Sequence, residues 1–248
     1  LVASVFTANS GFACDMVMGS AAYHGRLYFN NAISAKESTG HGSPLPHLVH
    51  GGPGRAGGSE ELGGVRGVMA YMQRTAIQGT PDILSEVTQR YVPNATPTPT
   101  VDHPFRCSYN QLTLGQQLIT PEREVTVDDI ETFAHFTGDT FYAHMDAEAA
   151  KRNPFFPDRV AHGYLLLSFA AGLFVDPDEG PVLANTGLDE LRFIKPVKAG
   201  ESIHVALTVM AKTPRTDTYG EVRWYVRILN QDSEVAAEYQ LLTMNAFE

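Results

Sequence analysis

Residues 105–248 predict an α+β fold in which a long antiparallel sheet wraps round one central helix, and residues 1–91 predict an α/β piece before it. Three observations carry this reading. The run HGYLLLSFAAGLFV, residues 162–175, is apolar nearly all round, which predicts a helix buried on most sides. In EVRWYVRIL, Val222, Trp224, Val226 and Ile228 alternate with Arg223, Tyr225 and Arg227, the period of two of a half-buried strand. Between the halves, YVPNATPTPTVDHPFR spaces Pro93, Pro97, Pro99 and Pro104 among small polar residues. That composition disfavours helix and central strand alike and predicts a linker over residues 92–104.

In chain order, LVASVFTANSG reads as a strand, residues 10–22 as a short helix and GRLYFNN as a second strand. HGSPLPHLVHGGPGRAGG is rich in glycine and proline and reads as a surface or interface loop. It lacks G-x-x-x-x-G-K-[ST] and the strand-to-helix grammar of a dinucleotide fingerprint. SEELGGVRGVMAYMQ resumes helical spacing with Ser59 as N-cap, and RTAIQ is a short strand candidate. Beyond the prolines, TVDDIETFAHFTG sets Thr126 three before Asp129, a loose capping box. MDAEAAKR is a second short helix, capped by Asp146 and stopped before Pro154. SIHVALTVMAK and EVAAEYQLLTMN flank the alternating strand through the turns TPRTDTYG and NQDS. Long antiparallel strands wrapped round one apolar helix describe a hot-dog fold.

Composition narrows the function. A net charge of −10 over 248 residues argues against general nucleic-acid binding, while leaving room for a local cationic pocket. Cys14 and Cys107 cannot build a disulfide framework, which favours a reducing, cytoplasmic setting. No signal peptide is visible, and the longest apolar run is too short to span a bilayer. The opening LVASVFTANSG, without methionine, reads as a cut inside a larger protein.

Asp139 and His144 raise the question of chemistry. They stand five apart in FTGDTFYAHMDAEAAKRNPFFPDRVAHG, an irregular stretch beside the most apolar run. Taken singly, Asp139 is explained as a turn residue after Gly138, and His144 as a buried histidine bonded to backbone. Taken together, a carboxylate and an imidazole that touch one water can deprotonate it and return a proton elsewhere. His135, His144, Asp146 and His162 lie close in sequence, but they fit no standard ligand spacing and no cysteine pair supports them, so no metal is assigned.

The segment TGDTFYAH resembles the signature of MaoC-like R-specific enoyl-CoA hydratases, in which Gly-Asp is followed five residues later by His. The resemblance runs through residues 105–248, including RVAHGYLLLSFAAG and LRFIKPVKAGES, except that Phe141 and Tyr142 stand where that family has Asn-Pro. In the first 90 residues, SVFTAN, GRLYFNN and GGSEELGGVRGVMAYMQRTAIQ resemble the C-terminal end of an aldehyde dehydrogenase. The two in this order are similar to PaaZ-type bifunctional ring-opening enzymes of aerobic phenylacetate degradation, in which an aldehyde dehydrogenase precedes an oxepin-CoA hydrolase.

That resemblance implies a catalytic dyad of Asp139 and His144 that adds water to the β-carbon of an unsaturated CoA thioester. It implies that the backbone N–H of Gly163, at the start of the central helix, holds the thioester oxygen; close helix packing is the plain alternative for this glycine. It implies no cofactor for the hydratase part and NADP for a dehydrogenase body upstream, so that Cys14 is not the nucleophile. A homo-oligomer, at least a dimer, is expected. Arg152, Arg159, Lys195 and Lys198 are cationic candidates for the CoA phosphates, with solvated surface as the alternative for each. Three rivals stay open: a general enoyl-CoA hydratase, a hot-dog thioesterase that cleaves the thioester, and a non-catalytic assembly module.

Overall fold

The computed structural model describes residues 2–36, 65, 68, 69, 72, 76–156 and 158–248. The glycine-rich loop, the Ser59 cap and most of the SEELGGVRGVMAYMQ segment lie outside them. The chain forms two compact units, Leu1–Ala76 and Ile77–Glu248. In the first, strands β1 (Val2–Phe6) and β2 (Arg26–Asn30) pair in parallel. The helix Ser10–Ser20 connects them, and the Asn9 side chain caps it by accepting from the N–H of Phe12. This agrees with the order read from the sequence. RTAIQ does not: its described residues 76–78 lie in no strand.

The second unit is built on β3 (Thr98–Pro99), β4 (Gln116–Ile119), β5 (Arg123–Glu124), β6 (Val182–Phe193), β7 (Ser202–Pro214), β8 (Tyr219–Asn230) and β9 (Val235–Ala246). Their order across the sheet is β3-β4-β7-β8-β9-β6, with β5 also on β7. All pairings are antiparallel except β3 with β4. One face of β8 is fully buried through Val222, Trp224, Val226 and Ile228, as its alternation requires. With Val205, Leu207 and Val209 of β7 it packs in one core with Leu165, Leu166, Ala170 and Phe174 of the central helix Gly163–Phe174. Phe105 wedges between the helix end and the sheet, its ring 5.8 Å from Phe174 and 5.4 Å from Trp224. The hot-dog fold expected from the sequence is therefore present.

Two features differ from the sequence reading. The proline-rich stretch packs on the sheet: Tyr91 donates its N–H to the Met210 oxygen at 2.8 Å and buries itself with Ala95 and Met210. The PTPT alternation explains how. Thr98 and Thr100 donate to Gly115 and Gln117 at 2.8 and 3.1 Å, while Pro99, which has no N–H, occupies an edge strand where none is needed. The contact boundary accordingly falls between residues 76 and 77 rather than within 92–104. The central helix is also less enclosed than expected. The sheet buries one stripe, and Tyr164, Ser168, Ala171 and Gly172 are exposed on the other side. No helix among the described residues is long and apolar enough to cross a membrane.

The single tryptophan gives a test of this core. Trp224 donates its indole N–H to Thr243 Oγ1 at 2.8 Å, and both residues are fully buried. Thr243→Val leaves that N–H unpaired, so the unit should lose about 1–3 kcal/mol, read as a lower urea midpoint by tryptophan fluorescence.

Candidate active site

The site starts from a helix that ends on schedule. Val127–Thr137 is opened by a full capping box between Thr126 and Asp129 and closed by Gly138 at φ +83°. Only glycine adopts that left-handed conformation without strain. It turns the chain out of the helix, and Asp139 begins the overhanging segment. The next short helix, Tyr142–Met145, carries His144 and plants Ala143 in the interior.

Residues 158–162 then pass behind both. The Val160 N–H donates to the Ala143 oxygen at 3.1 Å, and the Val160 oxygen lies 2.7 Å from His144 Nδ1. A carbonyl only accepts, so Nδ1 carries the proton and Nε2 offers its lone pair. Arg159 braces the turn by donating from Nε to the His144 oxygen at 2.8 Å and pairing with Glu131 at 3.0 Å. It is thereby committed to structure rather than to a phosphate.

Asp139, His144 and Gly163 all line one cavity of about 470 Å³. The structure thus brings together the three residues singled out in the sequence. It also adds one that the sequence reading weighed only as a metal ligand: His162, a ring nitrogen of which lies within 4.8 Å of a carboxylate oxygen of Asp139 and a ring nitrogen of His144. The other two members of that four-residue group lie elsewhere, His135 being exposed and Asp146 capping the helix Ala147–Lys151.

A cation suits the trio poorly. The rings of His144 and His162 are stacked, with centroids 3.8 Å apart and planes at 28°, so their in-plane lone pairs run alongside one another instead of converging. Each ring also has one nitrogen on a carbonyl. Burial pushes the His144 pKa below its ordinary 6.5; the bond to Val160 opposes this, His162 adds to it and Asp139 opposes it. Near neutral pH the imidazole is an uncharged base beside an exposed carboxylate.

Gly163 opens the central helix, and no side chain caps that end. Its own reason for being glycine is steric as well: an added Cβ would fall 2.5 Å from Cζ of Phe193. Both readings of this residue are therefore compatible with its surroundings. Phe141 and Tyr142 do not line the cavity; Phe155, Phe156, Tyr164 and Phe193 supply its aromatic surface. Phe141 instead lies 6.0 Å from the His144 ring, and Tyr142 accepts from Asn153 at 2.8 Å. Of the cationic candidates, Lys195 is on the cavity wall and bonds Glu234, Lys198 pairs with Glu201 at 3.7 Å, and Arg152 is exposed.

Comparison with known proteins fits this geometry. Residues 109–227 match the family described as the MaoC like domain, so the chain carries a MaoC-like dehydratase domain on its hot-dog fold. Protein MaoC of Klebsiella aerogenes is 52% identical over 213 residues, which are 86% of this chain and 63% of that protein. The 3,4-dehydroadipyl-CoA semialdehyde dehydrogenase of Aromatoleum evansii is 42% identical over 53 residues, 21% of this chain and 10% of that protein. The chain thus spans less than two thirds of either relative. The solved MaoC-like dehydratase of Rhodospirillum rubrum is 25% identical at a TM-score of 0.51, covering 56% of this chain and 97% of that one.

The contact at Gly163 predicts a coupled result. Gly163→Ala should cost about 1–2 kcal/mol of stability by forcing the Phe193 ring aside, and Phe193→Ala in the same chain should relieve most of that loss. A double-mutant cycle in urea measures it; equal losses with and without Phe193 would contradict the contact.

Proposed function

We propose that this chain adds water across the α,β double bond of an acyl-CoA thioester, with Asp139 and His144 holding and deprotonating the water. The observation that carries the reading is the meeting of this carboxylate and an uncharged imidazole in one cavity with the open start of an apolar helix. Water bonded between Asp139 and His144 Nε2 gives up a proton as its oxygen attacks the β-carbon. The proton returns at the α-carbon, and the charge that grows on the thioester oxygen meets the N–H of Gly163 at the positive end of the helix. The likeness to a MaoC-like dehydratase supports this class of reaction.

The finer reading is ring opening of oxepin-CoA. There the β-carbon also bears the ring oxygen, so addition of water gives a hemiketal. Its ring C–O bond then breaks to leave a ketone at the β-carbon and an enol that tautomerises to an aldehyde. Phe155, Phe156, Tyr164 and Phe193 offer flat apolar surface to such a ring, though one aromatic contact contributes only about 1 kcal/mol beyond burial. The short likeness to a semialdehyde dehydrogenase, over 53 residues, supports a dehydrogenase end in this chain, which we place in residues 1–91 and whose upstream body would use NADP on that aldehyde. The open β6 edge, exposed along most of its length, is where a second copy would pair.

Asp139→Asn and His144→Ala should each lower hydration of crotonyl-CoA at least about a hundredfold without unfolding the chain, and near-wild-type rates in either would refute the dyad. His144 must be unprotonated to act, so kcat/KM should fall on the acid side with a midpoint below 6.5. With both substrates in one vessel, oxepin-CoA should be consumed well ahead of crotonyl-CoA by mass spectrometry. Faster loss of crotonyl-CoA would leave a general enoyl-CoA hydratase instead.

A further inference from the structure

His162 has no task in the chemistry above, yet it touches both members of the dyad. It is 1% exposed and stands at the start of the central helix without capping it through its side chain. Its Nε2 donates to the main-chain oxygen of Asp139 at 2.8 Å. Its ring stacks on that of His144, and Phe133 packs against it at 5.0 Å. Its Nδ1 is buried with no hydrogen-bond partner. If only volume mattered here, an apolar ring would fill the space without burying an unpaired nitrogen.

We propose that His162 is a positioning residue, which holds Asp139 by its main chain and His144 by its ring face so that both reach one water. The proposal rests on the hydratase reading. Asp139 needs such a hold, because it is exposed, follows a left-handed glycine, and its other hydrogen bonds are long, at 3.3 and 3.4 Å. His144 needs it too: the bond to Val160 fixes Nδ1 but leaves the ring free to tilt about that bond, and the stack removes this freedom. The charged and titratable groups around His144 are Asp139, His162, Lys195 on the cavity wall, and Arg159 with its partner Glu131. Among these, His162 acts in the direction that keeps a proton off His144. A misplacement of about 1 Å in such an arrangement can cost about a hundredfold in rate.

Two substitutions separate the two contacts. His162→Phe keeps a ring on His144 and removes the donor to Asp139, whereas His162→Gln keeps a donor near the Nε2 position and removes the ring. Each should lower kcat on crotonyl-CoA by about tenfold to a hundredfold with KM within about threefold. Each should also move the His144 ring titration, followed by NMR, to higher pH. The titration needs no substrate, so it decides the positioning role even if the chain turns over no enoyl-CoA. Wild-type kcat in either folded variant, or an unmoved His144 midpoint in both, overturns the proposal. Should neither variant fold, the wild-type chain decides: a slowly exchanging Nε2 proton on His162 bonded to Asp139 supports it, and a freely exchanging one overturns it.

Discussion

The burial of one helix stripe against one sheet face sets the position of everything at the site. Leu165, Leu166, Ala170 and Phe174 face β7 and β8, and Trp224 and Phe105 complete the seat. Fully burying each of the larger side chains is worth about 1.5–3 kcal/mol, and Leu165 and Leu166 anchor the first turn itself, so the helix start is held firmly. That fixed start is what the site is built on. It brings Gly163 to the cavity wall and His162 against Asp139 and His144.

Local signals made much of the fold legible. The period of two in β8, the Thr126–Asp129 capping box and the Asp146 cap each express a rule that acts within a few residues, and each appears where the residues place it. What failed depended on distant partners. Prolines rule out a central strand, but only the presence of β4 decides whether they lie free or along an edge. The apolar helix could not reveal that the sheet covers only one side of it. β6 escaped notice because its exposed edge position imposes no clean alternation of apolar and polar residues.

The site was legible in part, for the same reason. Asp139 and His144 share a short motif, and the structure places both on one cavity with Gly163. His162 stood in the sequence only as one more nearby histidine. Its stack on His144 arises because the chain leaves at Gly138 and returns at Val160, a closure that spacing does not encode. The aromatic wall is not legible in the sequence: Phe155, Phe156, Tyr164 and Phe193 come from separate segments, while Phe141 and Tyr142, next to His144 in sequence, do not line the cavity.

At the centre of the proposed reaction is a single water that attacks the β-carbon rather than the thioester carbonyl carbon. Incubating crotonyl-CoA with the chain in ¹⁸O-labelled water and analysing the products by mass spectrometry tests it directly. The account predicts one ¹⁸O on the β-carbon of an intact 3-hydroxyacyl-CoA. Label in a free carboxylic acid, with CoA released and the double bond retained, would contradict it.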